Sequence, residues 1–442
     1  MEGGGKILGR LGGRLIAGVA CLFAAQGVFG AEATNDSFAA ISLARARQLA
    51  FQRNWDLLAA KSDVDVAVAQ RLVAREFPNA TTSFSITKIN TDNHSAGTAA
   101  GNGFWDRNYD TIAAVSQLIE IGGKRKARRD SAAAGLKGAE ARLADARRLL
   151  EQGVTQAYVG VLLAERNRSV LADSAASLRQ EAKIAGARQN AGDLSVADQS
   201  QIEIAADRLE LDAASAELAA HQARVALEVL LGEKTPAGTI TLNDDLESLA
   251  QTSVDAPDAA AAFTRPDVLA AEAARAKAEA DWRLQKAVRI PDPTFLAQYE
   301  HEPPDQPQTV GFGISFPLPL WNRNSANVAA ANAAREQAEA QAAKAAALAM
   351  ADIVNARAAQ HTSYERWLRY RDELAPKSSK VRASVAFAYE KGGAALLDLL
   401  AAQRNDNDVR LATVQAAADA ANAAASLRAA LNLDHGPMLP LQ

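Results

Sequence analysis

The fold is decided between Gly123 and Asn190, where the chain reads GKRKARRDSAAAGLKGAEARLADARRLLEQGVTQAYVGVLLAERNRSVLADSAASLRQEAKIAGARQN. No Pro interrupts it, and its later glycines (Gly135, Gly138, Gly153, Gly160, Gly186) stand singly. Ala, Leu, Arg, Glu and Gln dominate, the residues that lose least entropy in a helix. Apolar side chains return at helical spacing: Leu136, Leu143, Leu149 and Leu150, then Val154, Ala157 and Val161. At roughly 1.5 Å per residue the predicted helix is about 100 Å long. Ordinary globular helices run roughly 8–20 residues, so this one has to span something deep. A second Ala-rich helix follows from Ala326 to about Tyr389, with Pro376 as its one Pro.

Composition narrows the class. The chain has 442 residues, a formal net charge of -4 and 5% aromatic residues. Near-neutral charge argues against nucleic acid as a partner, and scarce aromatics argue against a large compact core. At the N-terminus, Lys6, Arg10 and Arg14 precede an apolar run from Leu15 to Ala25, and small residues follow at Gly30 and Ala31. Residues 1–30 therefore read as a secretory signal peptide cleaved near Gly30, with a cut after Ala33 as the alternative. Cys21, the single cysteine, stands in a lipobox-like Gly18-Val19-Ala20-Cys21, but Gly18 replaces the expected Leu. With Cys21 removed, the mature chain has neither disulfide nor thiolate ligand. Beyond the signal no run of eighteen apolar residues remains, so no membrane helix is predicted.

Along the chain, Ile41–Glu76 reads as one helix stopped by Phe77-Pro78. From Ala80 to Ile89 the period switches to two, with Thr82, Phe84, Ile86 and Lys88 on one face. A polar loop from Thr91 to Arg107, with Phe104 and Trp105 near its end, leads to a second strand over Tyr109–Glu120. Gly122-Gly123 turns into the long helix, which stops at Asn190-Ala191-Gly192-Asp193. Ser195 caps a return helix, Val196–Leu231. Residues 233–257 read as an irregular connector, and then the pattern repeats. A helix over Ala259–Ile290 precedes strands at Thr294–Glu300 and Thr309–Phe316, with a loop over His301–Gln308. Pro317, Pro319 and Trp321 mark the turn into the second long helix, which ends near Gly392-Gly393 before a return helix from Ala395 to Leu431. Ser116 pairs with Ser315, Lys124 with Arg323, Gly192 with Gly392 and Asp198 with Asp398. An internal duplication follows, with a first repeat and connector over 31–257 and a second repeat and tail over 258–442.

Four strands cannot close a barrel with a wide interior, and a membrane strand with an open edge is forbidden, because its unpaired backbone would sit in hydrocarbon. The fold expected is mainly α with a transmembrane β part, assembled as a trimer so that four strands per chain make a twelve-stranded barrel.

The sequence resembles the outer-membrane factor family, the TolC-like channel proteins of tripartite efflux and type I secretion. The motifs are Phe77-Pro78, the Ile119–Arg125 turn, Asn190-Ala191-Gly192-Asp193, Ile290-Pro291 and the Phe316–Asn324 run. That last run resembles the heavy-metal branch, the cobalt–zinc–cadmium and nickel–cobalt systems, more than the multidrug branch. The resemblance covers nearly the whole mature chain. It implies a homotrimer with its barrel in the outer membrane and its helices in the periplasm. The implied partners are a periplasmic adaptor and a resistance-nodulation-division pump of the inner membrane. The implied cargo is divalent heavy-metal cations, with multidrug efflux or type I secretion as the alternative. A periplasmic coiled-coil adaptor is the rival from another class.

No enzymatic motif appears, and the chain is read as a non-enzyme without cofactor. His94, His221, His301, His361 and His435 are scattered. His94 and His301 could share an external loop region with Asp92, Glu300, Glu302 and Asp305, but loop polarity is the simpler reading and no metal site is assigned. By the resemblance, Gly192, Asp193, Gly392 and Gly393 form periplasmic hairpin tips that dock the adaptor and gate the channel. Asp198 and Asp398 follow each tip. They are either lumen-facing carboxylates that favour cations or acids in a first helical turn, stabilised by the dipole. Gly122, Gly123, Pro317, Pro319 and Trp321 are the strand-to-helix turns, and Trp321 and Tyr109 suit interface levels. The resemblance puts Lys124, Arg125, Lys126, Arg128 and Arg129 at the periplasmic face, where anionic headgroups would be a partner; they crowd a helix start against its dipole, so something else compensates them, or they are a plain solvated face.

Overall fold

The computed structural model describes residues 40–87, 110–251, 259–302 and 306–433. The readings of the signal peptide, Cys21, the first inter-strand loop with Asp92, His94, Phe104, Trp105 and Tyr109, and of Asp305 and His435 lie outside them.

The expected first helix is two helices, α1 (Leu43–Arg53) and α2 (Trp55–Val73). The break is made by Asn54, which is buried and extended at φ -63 and ψ 128. Its Oδ1 accepts from Leu57 N at 3.1 Å, capping α2, while its Nδ2 donates to the Leu230 carbonyl at 3.0 Å. An apolar count along the chain cannot see a cap that is held by a residue so distant in sequence.

Strands β1 (Thr81–Thr87) and β2 (Asp110–Leu118) lead into α3 (Lys124–Asn190), and α4 (Val196–Leu230) returns along it. The connector holds more order than expected, including a short α5 (Leu246–Ala250). Ile41 bridges to Leu242 in parallel, with Ile41 N donating to Thr241 O at 2.9 Å. Tyr158 Oη, in α3, donates to this join at Ile41 O and Asp244 Oδ2, each at 2.9 Å. Burial pushes the Tyr158 phenol well up, so it stays a neutral donor.

In the second half a 3₁₀ turn (Ala259–Thr264) precedes α6 (Pro266–Val288), where one helix was expected. Pro266 is the cause: it disfavours helical backbone at Arg265, which is extended at φ -63 and ψ 139. Strand β3 (Thr294–Glu302) takes in His301, which the sequence assigned to the loop, and β4 runs from Gln306 to Ser315. The second long helix is α7 (Ser325–Arg369), a π turn (Tyr370–Leu374) and α8 (Ala375–Glu390). Pro376 has no N–H to give the Asp372 carbonyl, and its ring would press on it. The wider turn just ahead, where Ala375 N donates to Tyr370 O, relieves that contact. Helix α9 (Leu396–Ala430) returns.

The strands form one antiparallel sheet in the order β1-β2-β3-β4, so β2 and β3 join the two halves and β1 and β4 are its edges. Register sorts the faces. Phe84 lies opposite Ala113, Val115 opposite Ala297, and Ala297 opposite Phe312, with Tyr299–Val310 and Phe295–Ile314 beside them. All of these stand on one face, and its large side chains are exposed. The other face carries Ser83, Ser85, Ser116, Gln298, Glu300, Gly311, Gly313 and Ser315, with Ile112, Leu118 and Leu296 as its larger apolar members.

Val154, Tyr158, Val159, Val161 and Ile240 are fully buried, and three further clusters lie along the helices. One apolar cluster joins Val64 and Ala67 to Leu136 and Ala139. A second holds Ala262, Val268, Ala349, Ile353, Leu427, Ala430 and Leu431. A third, under the hairpin ends, holds Leu178, Ala182, Ala185, Ile202, Ala206, Leu396 and Leu399. Ala at so many of these positions lets helix axes approach closely, which explains a stable assembly with few aromatics. No described helix is long and apolar enough to cross a membrane.

Gly232, after α4, has φ +81, and a Cβ there would overlap the Arg53 carbonyl. Backbone at the α1–α2 break cannot swing aside as a side chain can. Gly232→Ala is therefore expected to cost about 2–4 kcal/mol, from left-handed strain plus overlap. Gly192→Ala, at a similar φ with nothing within 4 Å, should cost about 1–2 kcal/mol. Denaturant midpoints of the two variants check the difference.

Candidate functional site

The two hairpin ends are built alike. At the first, Gly192 takes φ +85, its N–H donates to Gln189 O at 3.0 Å, and Asp193 N donates to Arg188 O at 2.9 Å. At the second, Gly392 takes φ +77, with Gly392 N to Tyr389 O at 3.1 Å and Gly393 N to Ala388 O at 2.8 Å. Each therefore satisfies the last carbonyls of its helix by the same left-handed closure. Gly192, Asp193, Gly392 and Gly393 are all exposed.

Asp198 and Asp398 sit at the third position of the return helices. Ser195 Oγ accepts from Asp198 N at 3.1 Å and lies 2.8 Å from Asp198 Oδ2. Asp398 Oδ2 accepts from Ala395 N at 3.3 Å. Both acids thus have a local capping contact; Asp398 is exposed and Asp198 half-buried.

Beneath the tips lies a charged layer that the sequence reading missed. The Arg188 guanidinium lies over the Tyr389 ring, 5.5 Å from its centre. Tyr389 Oη and Glu181 Oε2 are buried with no hydrogen-bond partner among the described residues. Burial pushes the Glu181 carboxyl up from its ordinary value while Arg382 draws it back. Burial likewise raises the Tyr389 phenol, opposed by Arg188. Asp406, almost fully buried, accepts from Ser378 Oγ at 2.5 Å and lies 3.0 Å from Arg382 Nε. Glu181 and Arg188 are seven apart on α3. That spacing was the available signal, because it puts both on one helical face.

At the other end, strands become helices. Gly122 (φ +72) and Gly123 (φ +80) make the first turn, and a Cβ on Gly122 would come within 2.8 Å of Ile290 Cδ1. The second turn carries exposed Pro317, Pro319 and Trp321 and uses Asn324, at φ +56, as its left-handed cap. Lys124 opens α3 whereas Arg323 precedes the cap of α7, so that numerical pairing is not a structural one. The basic cluster is compensated in part. Lys124 pairs with Asp292 at 2.7 Å, and Arg128 with Glu120 at 2.5 Å. Arg125 donates to Arg75 O at 2.6 Å and stacks on Phe77, 3.7 Å from the ring centre.

At the loop end of the sheet, Asp110, Glu300 and Glu302 bring carboxylate oxygens within 4.8 Å of one another. The sequence reading had the two glutamates but not Asp110. A cluster of acids alone earns no metal assignment.

A deep helical pair, a sheet apolar on one face with two open edges, and glycine-closed tips are parts of a conduit. The sequence model of the outer membrane efflux protein family matches residues 46–233 and 259–433. The chain belongs to this family. Outer membrane efflux proteins are channels, not catalysts, and this one is an outer-membrane channel protein. It is similar to the cobalt-zinc-cadmium resistance protein CzcC of Cupriavidus metallidurans, at 24% identity over 378 residues, 82% of this chain and 83% of the relative. A membrane protein from Pseudomonas aeruginosa has the same fold, with a TM-score of 0.76, 22% identity, and coverage of 88% of this chain and 93% of that one. CusC, studied for the conformational changes of folding and transmembrane channel formation, has a TM-score of 0.74 at 19% identity, covering 89% of this chain and 92% of its own.

Proposed function

We propose that the protein is the outer-membrane exit duct of a tripartite efflux system for small molecules. The observation that carries this is the sheet: its large apolar side chains share one exposed face, and its edge strands β1 and β4 are unpaired within the chain. Three copies pairing β4 to β1 would close twelve strands, remove every edge, and turn the apolar face to lipid. Residues 31–257 and 258–442 act as the two halves of each subunit, after removal of a signal peptide near Gly30. The tips at Gly192-Asp193 and Gly392-Gly393, with Asp198 and Asp398, then meet a periplasmic adaptor, which links them to a resistance-nodulation-division pump. Cargo is selected by the pump, so the duct itself needs no specific site.

A second reading, export of divalent heavy-metal cations, is supported by the similarity to CzcC. Deleting the gene and measuring tolerance to dyes, antibiotics, Zn²⁺, Co²⁺, Cd²⁺ and Ni²⁺ separates the two. We expect sensitivity to the organic panel, restored by wild type but not by Asp193→Lys. Sensitivity confined to cations would transfer the assignment to the second reading. Unchanged tolerance to both panels, with the protein absent from outer-membrane fractions, would overturn the duct.

A further inference from the structure

The ends of four helices meet directly beneath the strands. Lys124 Nζ donates to Ile290 O at 2.5 Å, Arg125 reaches Arg75 O, and Asn324 Nδ2 donates to Gln285 O at 2.9 Å. The C-terminal ends of α2 and α6 are thereby tied to the starts of α3 and α7. This junction carries more positive charge than it neutralises. Asp292 and Glu120 serve Lys124 and Arg128, and Asp130 lies 3.9 Å from Arg283. Arg75, Lys126, Arg129, Arg289 and Arg323 are exposed, and among the described residues none has a carboxylate within 4.0 Å. Glu76 is the exposed acid beside them and leaves the balance positive.

Apolar side chains are interleaved with these cations. Phe77 lies under Arg125, Ile121 and Ile290 flank Gly122, and Leu320 and Trp321 precede Arg323; all are exposed, Trp321 at 93%. Both the charge and the apolar side chains stand directly below the exposed apolar face carrying Phe295, Phe312 and Ile314, the level at which the duct reading puts lipid headgroups. A lipid interface accounts for both: phosphate takes the guanidinium and ammonium groups, and the acyl boundary takes the ring and aliphatic groups.

We propose that this collar binds anionic phospholipid headgroups of the leaflet at the foot of the sheet. The inference rests on the outer-membrane duct reading and adds a lipid class and its ligands to it. Arg75, Lys126, Arg129, Arg289 and Arg323 contact lipid phosphate, while Phe77, Leu320 and Trp321 fix the depth.

The test equilibrates the full-length protein in detergent micelles containing equal phosphatidylglycerol and phosphatidylcholine, then measures the lipid retained after gel filtration. Wild type should enrich phosphatidylglycerol several-fold. The combined variant Lys126→Gln, Arg129→Gln, Arg289→Gln, Arg323→Gln should fall to near-equal retention of the two lipids, since each cation near an anionic surface contributes about fivefold. Salt at 0.5 M should collapse it too. A control with Lys183→Gln and Lys380→Gln, far along the helices, should match wild type. Where the combined variant misfolds, as judged by circular dichroism, Lys126→Gln with Arg129→Gln serves alone and should lose part of the preference. Equal retention of both lipids by wild type, or an unchanged preference in folded variants, overturns the proposal. Displacement by millimolar inorganic phosphate overturns it as well, because it identifies a phosphate-ion site rather than lipid. Membrane fractionation in parallel keeps the two readings apart: protein missing from the outer membrane defeats the duct, whereas protein present there without lipid preference defeats the collar alone.

Discussion

Phe312→Arg is expected to stop the protein accumulating in the outer membrane, whereas Ser315→Arg should leave it there. Phe312 is 85% exposed, stands opposite Ala297 in β4, and has Val310 and Ile314 above and below it on the same face. It touches little within its own chain, so as a soluble surface residue its loss would cost no more than about 0.5 kcal/mol. In hydrocarbon the same change costs about 2–4 kcal/mol per copy near the bilayer centre, and in the proposed trimer it counts three times. Ser315 stands on the opposite face, which the proposed duct turns to water rather than lipid. Fractionation, with unheated gel electrophoresis to follow oligomers, reads the difference. Equal behaviour of the two variants would sink the lipid-facing assignment.

The second large effect is expected at Glu228, which is 1% exposed. Its two carboxylate oxygens accept four backbone N–H groups: Ala237 and Gly238 at 2.7 Å, Thr239 at 2.8 Å and Ile240 at 3.0 Å. No alternative acceptor is supplied when the carboxylate goes, and a buried amide without a partner costs about 1–3 kcal/mol. Glu228→Ala is expected to destabilise by about 3–5 kcal/mol. Glu228→Gln should retain much of that loss, because its NH₂ faces two N–H donors in place of an acceptor. The Ile41–Thr241 join should loosen first, so the readouts are the denaturant midpoint and protease cleavage between residues 233 and 245. A midpoint for Glu228→Gln within 1 kcal/mol of wild type would refute this account.

Much of this was legible before the structure, for a physical reason. The long helix over Lys124–Asn190 and the strand faces carrying Phe84, Val115, Phe312 and Ile314 are periodic signals repeated over many residues. Gly192 and Gly392 announce a left-handed closure that few other residues tolerate. The misses share the opposite property. Asn54 and Tyr389 meet partners far away in the chain, Glu228 is satisfied by a loop 9–12 residues on whose conformation no periodicity announces, and the Glu181–Arg188 spacing marks a shared face without saying that it is buried. Arg265 was invisible in the same way: it is buried and paired with Asp267 at 2.6 Å and Asp352 at 3.1 Å, which ties α6 to α7. Pro376 was visible as the one Pro of the second long helix, but a single Pro does not say what turn the backbone ahead of it takes.

The three apolar clusters strung along the helices share no residue. Val154, Tyr158, Val161 and Ile240, fully buried outside all three, add further packing. Loosening Ile202 or Leu399 at the hairpin ends removes no contact from Ile353 and Leu427, and none from Val64 and Leu136. A molecule packed along its length in this way has local openings of different free energy. The hairpin ends, with their own cluster, are a section whose opening hydrogen exchange can read apart from the sheet.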